Sequence, residues 1–89
     1  MRIVDEWNHN EMKVTAFHMN GRYSLKLERN ILEQWYKFRD GQFERLDELK
    51  AMLDEAFYEK VEAIFTEMLA NRARLFESME SSHDFDEII

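Results

Sequence analysis

The chain has 89 residues with 12 basic and 19 acidic side chains, a formal net charge of −7, and is 45% hydrophobic with seven Phe, three Tyr and two Trp. That length holds one domain with a modest core, and so many large apolar side chains exclude a wholly disordered chain. The absence of Cys and Pro, with only two Gly, excludes disulfide scaffolds, thiolate zinc sites and glycine-rich phosphate loops.

No stretch approaches the roughly 18 consecutive apolar residues of a membrane span. Met1 to Trp7 carries acids where a signal peptide needs an apolar run. With no cysteine, a cytoplasmic protein is the expectation. Charge is uneven: residues 1–41 carry seven basic and six acidic side chains, and residues 42–89 carry five and thirteen. The acidic half repels phosphate backbones and disfavours nucleic acid. The same asymmetry lets opposite faces of two copies attract.

In chain order, a first strand is expected over 2–7, ending in the polar turn Asn8-His9-Asn10-Glu11. Met12-Lys13-Val14 also reads like a translation start, so residues 1–11 are either an integral strand or an extension. Asn20-Gly21 between alternating runs is a two-residue hairpin signature, because both positions tolerate positive φ. It sets strands 12–19 and 22–28 in register, Met19 facing Arg22 and Lys13 facing Glu28. Val14, Ala16, His18, Tyr23, Leu25 and Leu27 then share the core face, and a Lys13–Glu28 pair is expected on the other. Arg29-Asn30 turns into a fourth strand over 32–38.

After Asp40-Gly41 the apolar period changes from 2 to 3.6. Phe43, Leu46, Leu49 and Leu53 mark a helix over 43–53. Phe57, Val61, Ile64, Met68, Leu75 and Met79, beside Tyr58, Phe65, Leu69 and Phe76, mark a second over 54–79 with Asp54 as N-cap. One continuous helix from Phe43 is the alternative. Residues 81–89 form an acidic C-terminal tail that frays. No internal repeat is apparent. The expected fold is α+β: a four-stranded antiparallel β-meander followed by a short and a long α-helix on one sheet face, in a single domain over 1–80.

A helix over 54–79 is about 39 Å long, whereas a compact domain of this size is roughly 31 Å across. The helix must overhang, and its apolar stripe of about 140° is wider than one buried face requires. A homodimer through Phe65, Leu69, Arg72 and Phe76 follows as an expectation, with Arg72 either reaching water or pairing across the interface.

Chemistry-bearing patterns are sparse. His9, His18 and His83 lack metal-ligand spacing, His18 being a rim residue opposite Tyr23. No Ser lies in a nucleophile elbow. The helix acids Glu55, Glu59 and Glu62 fall on a solvated face. No catalytic, cofactor or metal residue is assigned, and no enzyme is expected. The remaining candidates are surfaces. Phe17, Met19, Arg22, Lys26, Trp35 and Lys37 share the sheet's open face. They suit protein docking or, alternatively, stacking of single-stranded nucleic acid. Phe85, Ile88 and Ile89 in the acidic tail suit docking onto a sheet edge. The expected role is a small non-catalytic interaction or regulatory module, with an unidentified protein as partner.

Overall fold

Three asparagines set the sheet. Asn10, Asn20 and Asn30 hold φ of 51°, 52° and 54°, the left-handed region that Asn tolerates better than other side-chain-bearing residues. Each opens a two-residue turn between strands of equal spacing. In the computed structural model, which describes residues 1–39 and 41–86 with side chains through residue 77, the strands are β1 (Arg2–His9), β2 (Met12–Met19), β3 (Arg22–Arg29) and β4 (Leu32–Lys37). They form one antiparallel sheet in the order β1-β2-β3-β4.

The β2–β3 register matches the expectation at every pair from Met19↔Arg22 to Lys13↔Glu28. Four details differ. The first turn is Asn10-Glu11, because β1 runs on to His9 opposite Met12. The third turn is Asn30-Ile31, with Arg29 opposite Leu32. The first three strands therefore do repeat, eight residues and a turn at a time, with Asn at the same place in each unit. Lys13 and Glu28 face each other but bond elsewhere, Lys13 to Glu6 at 3.7 Å and Glu28 to Lys26 at 3.4 Å.

β1 is an integral edge strand. A bulge between Ile3 and Asp5 shifts its alternation, so Asp5, Trp7 and His9 share the covered face with Ala16, Val14 and Met12. The core lies between that face and the helices: Met12, Val14, Ala16, Leu25, Leu27, Leu49, Tyr58, Val61 and Phe65 are buried.

The helices are α1 (Leu46–Met52) and α2 (Glu55–Asp86). α1 starts later than its apolar spacing suggested, since Phe43 packs edge-on against Phe38 outside the helix. Glu48 accepts bonds from the Glu44 and Arg45 amides and fixes the start. The two helices are separate. The Asp54 carboxylate accepts the Phe57 N–H at 2.9 Å, satisfying one free donor of the α2 N-terminus.

Side chains fasten α2 to the sheet along its first turns. Phe57 meets Tyr36 edge-on, Gln34 donates to the Val61 carbonyl at 2.9 Å, and Phe65 and Leu69 lie beside Ile31 and Leu32. α2 thus runs antiparallel to β4 and leaves the sheet past the Asn10 and Asn30 turns. It continues to Asp86, beyond the expected end at Met79 and into the segment expected to fray. Its 32 residues span about 48 Å. The radius of gyration is 17.6 Å and the longest dimension 57 Å, against about 12 Å for the radius of a compact chain of this length.

Candidate functional site

The sheet's two faces have different fates. The face carrying Trp7, Val14 and Leu25 is covered by helices. Trp7 donates to the Tyr58 hydroxyl at 3.1 Å, and His9 stacks on the Tyr58 ring at 3.7 Å. His9 is therefore a packing residue at the strand end, not a turn residue. Its Nε2 lies 3.2 Å from a Glu55 carboxylate oxygen without a well-aligned hydrogen bond. Glu62, although partly solvated as expected, also takes a bond from Asn10 at 3.1 Å and lies 3.6 Å from Arg29. The Asn10 turn, the end of β3 and α2 are tied together there.

On α1, Lys50 reaches Asp5 at 2.7 Å and sits 4.4 Å from the Trp7 ring centroid. That bond, helped by the Glu6 N–H, holds the Asp5 carboxyl below its ordinary value. Burial pushes the Tyr36 phenol up, and its hydroxyl donates to Gln34 at 2.9 Å. These groups serve packing. Among the described residues no three His, Asp or Glu side chains gather as metal ligands.

The opposite face carries the expected surface residues. Phe17 and Trp35 stack at 5.4 Å and 18°. The Lys26 ammonium lies 5.8 Å and 5.7 Å from their centroids. Trp35 remains 42% exposed and donates to Glu33 at 3.0 Å. Toward the Asn20 turn the face hollows into a cavity of about 280 Å³ lined by Phe17, Met19, Arg22, Lys37, Phe38 and Arg39. The face is thus polarised. Glu28 and Glu33 lie near the Asn30 turn, Phe17 and Trp35 in the middle, and Arg22, Lys37 and Arg39 at the far end. His18 stands on the covered side of that far end, tilted against Tyr23 at 4.6 Å, as a rim residue should.

The second surface is the overhang of α2. Phe65 does not belong to it: at 1% exposure it is a core residue under Arg29, because the sheet reaches that far along the helix. Leu69 still edges Ile31 and Leu32, and past it the helix runs beyond the sheet. Leu69, Leu75 and Phe76 are 54%, 63% and 44% exposed. Arg72 is exposed and covers the Phe76 ring at 4.6 Å. Of the residues expected to dock as a tail, Phe85 is in the helical backbone of α2, while Ile88 and Ile89 lie outside the described residues. The overhang was readable in outline from the helix length, whereas nothing in the sequence marked the hollow on the sheet. The polarity of the sheet face was not noticed, although Glu28, Glu33, Arg22 and Lys37 already had their strand positions.

Among the described residues no helix is long and apolar enough to cross a membrane. Comparison with protein-family models, curated proteins and solved structures finds no match for this chain.

Proposed function

We propose that this chain is a non-catalytic protein-interaction module that works as a homodimer, joined through the overhanging part of α2. The observation carrying this reading is the surface left uncovered. The chain exposes 6678 Å², about 1,100 Å² more than the roughly 5,600 Å² expected of a folded monomer of this mass. Two copies each covering that excess reach the size range of stable dimers, about 1,200–2,000 Å² or more in total. Leu69, Leu75 and Phe76 are large apolar side chains exposed on the overhang. Sedimentation velocity on the Leu69→Asp/Phe76→Asp double variant tests it. The variant should sediment as a folded monomer under conditions where the native chain is dimeric. A variant that remains dimeric would refute the helix as the interface.

The stacked Phe17–Trp35 pair under Lys26 favours a second reading, a single-stranded nucleic-acid platform. Titration with a fluorescent oligonucleotide separates the two. A platform loses affinity steeply with salt and on Trp35→Ala or Lys37→Ala. An interaction module shows no binding to lose.

A further inference from the structure

The two uncovered surfaces of this chain fit one another. We infer that in the dimer the overhang of α2 from each copy lies across the open sheet face of the other. This rests on the homodimer reading above and specifies its interface.

α2 leaves the sheet at the end carrying the Asn10 and Asn30 turns. Consider a twofold axis at that end, in the sheet plane and across the strands. It sets the second sheet end to end with the first and turns it over. The second sheet then presents its open face to the first overhang, while the second overhang covers the first open face. The contact is isologous, so it closes at two copies.

The partner overhang enters each face at the Glu28 and Glu33 end and runs toward the Arg22, Lys37 and Arg39 end. Arg72 comes first along the helix and Phe76 one turn later on the same side. Arg72 thus meets Glu28 and Glu33, and Phe76 meets the Phe17–Trp35 stack. The spacings agree. Arg72 to Phe76 is about 6 Å along a helix, and Glu33 to Trp35 is about 7 Å along a strand. The opposite helix direction would carry Arg72 toward Arg22, Lys37 and Arg39. Pairing of the two overhangs with each other would leave the sheet face, with its exposed Trp35 and Met19, uncovered.

Charge reversal and rescue test this on the full chain. Glu28→Lys/Glu33→Lys changes the sheet face, and Arg72→Glu changes the helix. Circular dichroism checks that each variant is folded, and sedimentation equilibrium gives the dimer constant. Each of the two changes alone should weaken the dimer roughly fivefold or more, since exposed charge pairs are individually modest but here turn from attraction to repulsion. The two combined should restore it to within about threefold, because only residues in contact couple. A dimer indifferent to the sheet-face changes, yet lost in Leu69→Asp/Phe76→Asp, would overturn the crossed arrangement and leave the homodimer reading intact. Weakening by each change alone without restoration in the combination would also overturn it. A native chain that is monomeric would overturn both.

Discussion

Phe65 and Phe76 stand three turns apart on one helix and should respond to truncation in opposite ways. Phe65 is 1% exposed in the core, while Phe76 is 44% exposed on the overhang. Phe65→Ala removes a filled core volume and should cost about 3–5 kcal/mol. A chain of 89 residues has a total stability of roughly 4–13 kcal/mol, so this change consumes a large share of the fold. Phe76→Ala should stay within about 0.5 kcal/mol in dilute protein, as surface changes do. The assay is urea unfolding followed by circular dichroism across a range of protein concentrations. A dimer makes the midpoint rise with concentration by mass action. Phe65→Ala should lower the midpoint and keep that rise, provided it still folds. Phe76→Ala should keep the dilute midpoint and lose much of the rise. Equal costs in dilute protein would refute the division of α2 into a core half and an interface half. So would a Phe65→Ala cost under about 1 kcal/mol, far below the range for truncating a core Phe.

Other parts of the fold make their own predictions. Asn30→Ala should cost about 1 kcal/mol, because Ala resists the 54° φ, whereas Asn30→Gly should be close to neutral in the same urea assay. Asp54→Ala removes the α2 N-cap and should cost about 0.5–2 kcal/mol, read as a lower thermal midpoint. Asp5 is held below its ordinary value by Lys50. Its folded value therefore lies under its unfolded one, and its contribution is present above the unfolded value and lost as pH falls through the folded one. The native chain should exceed Asp5→Asn in stability at neutral pH, and the two should converge in strong acid. A difference that persists unchanged at low pH would show that the Asp5–Lys50 bond is not its source.

The hairpin of β2 and β3 was legible because Asn20-Gly21 permits positive φ at both turn positions, which leaves one register. The neighbouring turns rest on the same Asn conformation, but Glu11 and Ile31 follow where Gly marks the middle one. Without that mark the first turn was read too long and the third one residue early. Comparing positions 10, 20 and 30 would have exposed both. The break before Asp54 was legible from capping chemistry alone. The placement of Phe65 was not. A wide apolar stripe states that two surfaces meet the helix, but the sheet's length decides where the first ends. That length emerged only once β1 was seen to run to His9 and α2 to lie along β4. The sites followed the same pattern. Strand alternation correctly brought Phe17, Trp35 and Lys26 together. The bulge at Ile3–Asp5, which turns Asp5 toward Lys50, leaves no signature in side-chain alternation alone.

The central claim is that the uncovered half of α2 is an interface between two copies. Light scattering on a sizing column, at low and high salt and several concentrations, tests it most directly. A mass near twice 10.9 kDa is expected in both salts, with weaker association at high salt because charged side chains flank the apolar contact. A mass of one chain at every concentration in both salts would contradict it.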